Sequence, residues 1–256
     1  MAFSRVYYFS KVLMQHTTLT AAWSDEAERP LPVLYLLHGG TDDSTLWFRE
    51  SNVEELCRKY RLLAVSLDAR SSSYADMRHG QKFFTYLTEE LPDFLAHRLP
   101  VSTRREDTFI AGFSMGGQGA VKAALRCPEK YGACMGLSGA RDPVALYKLW
   151  QAMENGPDLR GVEDALGPID EIYGSENDIL FLAEKAAKEH TQLPRMFLSC
   201  GREDYAVEYS RAYHLFLEKL GIAHDYVETG GVHGYEAAWM ALDMALKKMR
   251  EEGRLR

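Results

Sequence analysis

The chain has little cysteine and no grouping of the residues that usually hold metals. Its 256 residues include four cysteines, Cys57, Cys127, Cys134 and Cys200, which are scattered through apolar segments. No two of them form a C-x-x-C pair, and no cluster of cysteine and histidine has the spacing of a zinc site. We therefore expect no disulfide framework and no metal centre, and we interpret the cysteines as buried thiols in a reducing cytoplasm.

Signals for nucleic acid and for membranes are also missing. The formal net charge is −7, and no cluster of lysine and arginine stands out, which argues against nucleic acid and anionic membranes as partners. The chain does not start with a basic segment followed by an apolar run, and no apolar run approaches the length of a membrane span. We expect a cytoplasmic protein, and the sequence leaves homo-oligomerisation open.

Two glycine-rich nucleotide motifs are absent. The chain has no G-x-x-x-x-G-K loop for phosphates, and no G-x-G-x-x-G motif follows the first buried strand. Because nothing else in the sequence indicates a prosthetic group, we expect no cofactor.

The sequence does contain a regular alternation of apolar strands and helices. A continuously apolar segment at 33–37 and a largely apolar one at 62–67 are typical of central strands covered on both faces. They predict an α/β fold with a mostly parallel central sheet, helices on both faces and an antiparallel hairpin over residues 3–24. We expect one domain over residues 1–256. Between about 140 and 192, helical segments separated by glycine and proline predict a small cap-like insertion over the sheet edge.

The most informative segment combines a strand, a sharp turn and the start of a helix. Residues 112–116 read GFSMG and fit the G-x-S-x-G nucleophile elbow of α/β-hydrolases. A serine at the tip of such a turn needs strained backbone angles, and the neighbours two residues away must be small to avoid collisions. The segment therefore predicts the α/β-hydrolase fold, with Ser114 as a nucleophile beside a helix N-terminus.

A serine nucleophile needs a base, and the base needs an acid that orients it. In α/β-hydrolases the acid follows the serine and the histidine follows the acid. Asp204, just past a predicted strand, and His233, in the loop after the last strand, fit that order. For the acid, Glu203 and Asp142 remain alternatives. The other downstream histidines suit the role less well because they lie on or beside helices or at a strand start: His190, His214 and His224.

An oxyanion hole is expected from two backbone N–H groups. One belongs to Met115, directly after the nucleophile, and the other comes from the HGG loop after the first buried strand, where we favour Gly40. We expect His38 to shape this loop. Trp47 and Tyr205 are near the expected site by sequence position, so we consider them as pocket-lining residues, with plain packing as the alternative.

Four segments of the chain also carry a family resemblance. They read LLHGG at 36–40, YLTEELP at 86–92, GFSMGGQGA at 112–120 and CGRED at 200–204. In these segments the chain resembles the esterase D / S-formylglutathione hydrolase-like branch of the α/β-hydrolases, and within it the bacterial tributyrin esterases. The likeness covers nearly the whole chain. It implies hydrolysis of short-chain acyl esters, with Ser114 as nucleophile, Asp204 as acid and His233 as base.

The sequence departs from this family pattern directly after the predicted base. Relatives usually follow the histidine with an acidic residue and then tryptophan, whereas His233 is followed by Gly234, Tyr235 and Glu236, and the nearest tryptophan is Trp239. This departure concerns the acyl pocket rather than the triad. The HGG loop, in turn, gives no sign of glutathione-specific recognition.

Together these patterns predict a serine carboxylesterase that acts on small, short-chain acyl esters through an acyl-enzyme. Its expected partner is a small-molecule ester. Three alternatives remain from the sequence. The chain could be a feruloyl or acetyl-xylan esterase, an acyltransferase that passes the acyl group to an alcohol, or a non-catalytic binding module on a hydrolase scaffold.

Overall fold

The computed structural model of the protein describes residues 1–26, 28–152 and 160–255. Their strands form one sheet in the order β1-β2-β4-β3-β5-β6-β7-β8. β1 and β2 form an antiparallel hairpin, β2 is antiparallel to β4, and all other neighbours are parallel. The strands are Ala2–Ser10 (β1), Gln15–Trp23 (β2), Val33–Leu37 (β3), Leu63–Leu67 (β4), Thr108–Phe113 (β5), Ala133–Leu137 (β6), Arg195–Gly201 (β7) and His224–Thr229 (β8).

Helices connect most of these strands. A π-helical turn, Tyr86–Glu90, directly precedes a helix whose first turn contains Pro92, which has no N–H to donate. None of the helices in the described parts of the chain is long and apolar enough to cross a membrane. The α-helices are Leu46–Glu50 (α1), Val53–Tyr60 (α2), Phe83–Thr85 (α3), Leu91–Ala96 (α4), Met115–Arg126 (α5), Pro143–Ala152 (α6), Arg160–Leu166 (α7), Ile169–Ile172 (α8), Ile179–Lys188 (α9), Val207–Lys219 (α10) and Tyr235–Glu251 (α11).

The sheet is covered on both faces, as the all-apolar strands predict. Along β3, Val33, Tyr35 and Leu37 belong to one apolar cluster with residues of α3, α4, α5, α9 and α10. Leu34 and Leu36 point the other way, into a second cluster with α1, α2 and α11. Since neighbouring side chains of a strand face opposite sides, a strand buried on both faces has to be apolar throughout. The predicted α/β-hydrolase architecture is confirmed.

The segment assigned to a cap, about 140–192, divides into two parts. Its last helix, α9, buries Ile179, Leu182 and Ala183 in the cluster that also contains α5. This helix therefore belongs to the layer that covers the sheet. Among the described helices of the segment, α6, α7 and α8 form a separate group. Part of the predicted insertion, residues 153–159, lies outside the described residues.

The parallel strands bring the loops of interest to one edge. β3, β5, β6, β7 and β8 all run in the same direction, so the segments that follow them gather at the carboxyl end of the sheet. These segments contain the HGG loop, the GFSMG turn and the residues proposed as acid and base.

Candidate active site

Ser114 occupies a strained turn between β5 and α5. Its backbone angles are φ 54° and ψ −116°, a combination that side-chain-bearing residues rarely adopt. A Cβ added to Gly112 would lie 2.1 Å from the carbonyl oxygen of Gly116, and one added to Gly116 would lie 2.2 Å from that of Leu37. Both glycines of the motif are thus required by close backbone contacts.

The serine, histidine and aspartate selected from the sequence form one hydrogen-bonded chain. Nε2 of His233 lies 2.8 Å from Oγ of Ser114, and Nδ1 of His233 lies 2.7 Å from Oδ2 of Asp204. Since a carboxylate can only accept, Nδ1 carries the proton and donates to Asp204. Nε2 is then free to accept the hydroxyl proton of Ser114. This is the geometry that general-base activation of a serine needs.

Asp204 is held as a buried carboxylate at the end of β7. Burial tends to raise its pKa, but the hydrogen bond from His233 and a second one from the backbone N–H of Ala206 outweigh burial and hold the pKa below its usual range. The loop that carries His233 packs closely against the end of β7 because residue 201 is glycine. A Cβ on Gly201 would lie 2.2 Å from the carbonyl oxygen of Gly231.

Both alternative acids and two of the three alternative histidines have other partners. Glu203 accepts the N–H of Gly231, and so supports the loop before His233. Asp142 accepts the N–H of Val144 at the start of α6. Among the alternative histidines, Nδ1 of His214 lies 2.8 Å from Nε2 of His224. These contacts favour Asp204 and His233 over their rivals.

Aromatic rings enclose the imidazole of His233. The rings of Phe113 and Tyr205 each lie 4.7 Å from it, on a centroid-to-centroid measure. Tyr205 is half exposed and lines the cavity above Ser114, and its part in substrate binding stays a prediction. The two rings restrict how the imidazole can turn.

Trp47 is not among the residues that line the cavity, and its contacts agree with the alternative of plain packing. Its side chain is completely buried, the indole N–H donates to the carbonyl oxygen of Leu37 at 2.9 Å, and the ring packs edge-on against Tyr235. Proximity in sequence does not bring Trp47 to the cavity wall, because the residue packs in the apolar cluster that also contains α2 and α11.

Gly40 and Met115 lie together on the wall of the cavity beside Ser114. Met115 is the first residue of α5, so its N–H has no partner within the helix. The N–H of Gly39, in contrast, donates to the hydroxyl of Tyr235 at 3.2 Å. Of the two glycines in the loop, Gly40 is thus the better candidate for an oxyanion donor.

Buried side chains fix the HGG loop. Nδ1 of His38 lies 2.7 Å from the carbonyl oxygen of Gly39, and its Nε2 accepts the N–H of Ala69. Burial lowers the pKa of His38, which favours the neutral ring that this pattern needs. The hydroxyl of Tyr235 donates to Asp42. Tyr235 therefore supports the HGG loop. It is the second residue after His233, within the segment that departs from the family pattern, and the sequence did not indicate this role.

A cavity of about 400 Å³ opens above Ser114. Sequence reasoning missed most of its lining, including Gln118 of α5 and the buried Arg141. The available signal for Arg141 was a charged residue soon after an apolar strand, at the edge where the serine lies. The apolar lining contributed by α6 and α7 comprises Pro143, Leu146, Tyr147, Trp150, Val162 and Leu166.

Comparisons with known proteins identify the family of the chain. The profile of the Esterase family, described as putative esterase, matches residues 17–242. An acetyl esterase of Caldicellulosiruptor saccharolyticus is 26% identical over 260 residues, covering 92% of this chain and 93% of that protein.

Two solved structures from Staphylococcus aureus are also similar. The substrate-bound fluorophosphonate-binding serine hydrolase FphF is 27% identical with a TM-score of 0.87, covering 97% of this chain and 98% of its own. The S-formylglutathione hydrolase FrmB is 27% identical with a TM-score of 0.85 and the same coverage.

Proposed function

The chain belongs to the putative esterase family, and from that premise we propose that it hydrolyses short-chain acyl esters through a triad of Ser114, His233 and Asp204. It is a carboxylic ester hydrolase of the serine type, and the substrates of such enzymes are small-molecule esters. The observation that carries the proposal is the chain of hydrogen bonds, 2.8 and 2.7 Å long, from Ser114 through His233 to Asp204.

Acylation follows from these contacts. Oγ of Ser114 attacks the ester carbonyl carbon while its proton passes to Nε2 of His233. The carbonyl oxygen becomes an oxyanion and accepts hydrogen bonds from the N–H groups of Gly40 and Met115. One such donor contributes about 10²- to 10³-fold to the rate. When the carbon–oxygen bond of the leaving alcohol breaks, Nε2 returns the proton to that oxygen and the acyl group stays on Ser114.

Deacylation repeats the sequence with water. His233 removes a proton from a water molecule that attacks the acyl carbon, and the same oxyanion donors act again. The bond to Oγ then breaks, and the proton on Nε2 returns to Ser114. Asp204 remains a carboxylate throughout and stabilises the imidazolium that forms at each step.

Two features support a short acyl group. The cavity of about 400 Å³ is at the small end of ligand sites, and α6 and α7 line it with apolar side chains. Such a site suits a few methylene groups, each contributing about 0.8 kcal/mol when buried. In addition, one similar protein is named an acetyl esterase.

A chain-length series tests this proposal. We expect kcat/KM for p-nitrophenyl esters to peak between acetate and hexanoate and to fall towards decanoate, because longer chains exceed the cavity. A maximum at decanoate would contradict the short-chain assignment. A folded wild-type protein that hydrolyses none of the series would contradict the proposed reaction itself.

A further inference from the structure

Arg141 is a buried cation on the wall of the substrate cavity. It follows β6, is only 2% exposed, and lines the cavity together with Ser114 and His233. A guanidinium taken out of water is costly unless hydrogen bonds and opposite charge replace its hydration. The hydrogen-bond and charge partners of Arg141 therefore indicate whether the side chain stabilises the fold or is available to bind a ligand.

The protein satisfies this guanidinium only in part. One Nη1–H donates to the carbonyl oxygen of Ser138, while the Nε–H is buried without a partner. Within residues 1–26, 28–152 and 160–255, no carboxylate forms an ion pair with it. The acid whose charge acts on it, Asp204, already accepts hydrogen bonds from His233 and Ala206.

A second buried cation, Lys122, does not line the cavity and allows a comparison of hydrogen-bond partners. Lys122 of α5 is also 2% exposed. Its ammonium donates to the carbonyl oxygen of Ser73 and to the side-chain oxygen of Asn177, each at 2.9 Å. The ammonium of Lys122 finds its partners within the protein, whereas Arg141 lines a ligand cavity and keeps a buried Nε–H without a partner.

The charges around the cavity would admit an anion. In the part of the chain that the structure describes, the lining contains no aspartate or glutamate, and Arg141 is its one arginine or lysine. Apolar side chains of α6 and α7 line the same cavity. Opposite charges attract more strongly in such a setting than in water, so a carboxylate that enters gains more here than at the protein surface.

We propose that Arg141 forms a carboxylate-binding subsite, so that the preferred substrates are esters that carry a second, ionised carboxyl group. This inference rests on the proposed function and specifies its substrate class. The guanidinium binds the substrate carboxylate from the cavity wall, while the ester carbonyl lies against Ser114. The carboxylate can belong to the acyl part or to the alcohol part of the ester.

Matched ester pairs test the subsite, and each pair differs mainly in charge. For the acyl arm we would compare monoethyl succinate with ethyl pentanoate, and for the alcohol arm 4-acetoxybenzoate with 4-acetoxybenzamide. We expect the wild-type enzyme to prefer the carboxylate member of one pair in kcat/KM. In Arg141→Met we expect that preference to fall about 10²-fold, in line with the loss of a desolvated charge pair. The arm that responds identifies the part of the substrate that Arg141 binds.

Two further variants control for general effects. Arg126→Met also removes a guanidinium from the layer around the sheet, but Arg126 pairs with Glu176 outside the cavity, so the ratios should stay at the wild-type values. Arg141→Lys keeps a positive charge and should retain part of the preference. Equal ratios in the wild type and in Arg141→Met would overturn the proposal.

The wild type alone also decides the question if Arg141→Met does not fold. We expect butyrate to inhibit hydrolysis of ethyl pentanoate more strongly than butyramide does. If butyrate is no better and neither carboxylate ester is preferred, the subsite does not exist. Failure of the proposed function is a separate result, namely no hydrolysis of the neutral esters, or hydrolysis that persists in Ser114→Ala.

Discussion

The two sides of the substrate cavity are built in different ways. The serine wall, formed by Gly40, Ser114, Met115 and His233, lies on strand ends and tight turns. The cap wall, formed by Pro143, Leu146, Tyr147, Val162 and Leu166, consists of apolar side chains from α6 and α7. The serine wall holds its catalytic atoms in place by hydrogen bonds and backbone contacts. The cap wall contributes mainly apolar contact surface.

This difference separates chemistry from selectivity. On the serine wall, a displacement of His233 would break two hydrogen bonds, and a side chain at Gly112 would collide with backbone. On the cap wall, a change such as Leu146→Ala alters volume only. We therefore expect substitutions of the serine wall to abolish turnover and substitutions of the cap wall to change which ester is preferred.

The largest effect should come from the nucleophile and the base. We expect Ser114→Ala and His233→Ala each to lower kcat for p-nitrophenyl butyrate by about 10⁶-fold, because either loss disables proton transfer and attack together. Steady-state kinetics on protein with an unchanged far-ultraviolet circular dichroism spectrum measures this. High esterase activity in Ser114→Ala would contradict the assignment of catalysis to the serine wall.

The orienting acid should matter less than the base. Asp204→Asn is expected to reduce kcat by about 10⁴-fold, since an amide can hold the imidazole in the wrong tautomer. Asp142→Asn is the matched control, because Asp142 lies at the start of α6 and not at His233. If kcat falls as far in Asp142→Asn as in Asp204→Asn, the assignment of Asp204 as the acid is wrong.

The support of the oxyanion loop should have an intermediate effect. Tyr235→Phe removes the hydroxyl that accepts from Gly39 and donates to Asp42. We expect kcat to fall about tenfold, which corresponds to the net contribution of a neutral hydrogen bond, with KM changed less. Pre-steady-state measurement of acylation would check this, and an unchanged rate would show that the loop holds its shape without Tyr235.

The cap wall should respond in selectivity rather than in rate. Leu146→Ala enlarges the cavity, so the ratio of kcat/KM for octanoate over butyrate should rise about tenfold, within the range expected for a change of one or two methylene groups in a pocket. The p-nitrophenyl series provides the readout. If this ratio stays constant while kcat/KM falls equally for octanoate and butyrate, the cap wall affects the chemical step. The separation of chemistry from selectivity between the two walls is then wrong.

The smallest effect on activity is expected for Lys122, whose change should appear in stability. Burial lowers the pKa of Lys122 from 10.5 to about 7. Above pH 7 the native state therefore binds fewer protons than the unfolded state, and the free energy of unfolding rises with pH, by roughly 1 kcal/mol per unit at most between pH 7 and 9.

Chemical denaturation of the wild type and Lys122→Met across that range tests this sign. The penalty of burying the charged lysine is full below pH 7 and disappears towards pH 10.5, and the variant should lack this rise. Parallel pH profiles in the two proteins would contradict the depressed pKa.

Local patterns in the sequence were enough for the sheet and for the residues of the proposed triad. The G-x-S-x-G spacing works because Gly112 and Gly116 are required by contacts within the turn and with the neighbouring strand, and apolar strands identify a sheet covered on both faces. The roles of Ser114, Asp204 and His233 stay predictions, although their side chains do meet.

Contacts between distant segments could not be predicted in this way. Helical periodicity found α9 but not its packing in the same apolar cluster as α5. The extent of the predicted cap stays a prediction. Trp47 follows the HGG loop closely, yet the helix that carries it faces the core. Arg141 gave no periodic signal, and its burial in the cavity depends on α6 and α7 folding over the serine wall.

The central claim, that Ser114 is the nucleophile activated by His233, is tested most directly by covalent labelling. The protein would be treated with a fluorophosphonate, digested, and mapped by mass spectrometry, with Ser114→Ala and His233→Ala in parallel. We predict a single labelled peptide containing Ser114 in the wild type, no label in Ser114→Ala and greatly slowed labelling in His233→Ala. A label on another residue, or none on the folded wild-type protein while ester hydrolysis continues, would contradict the account.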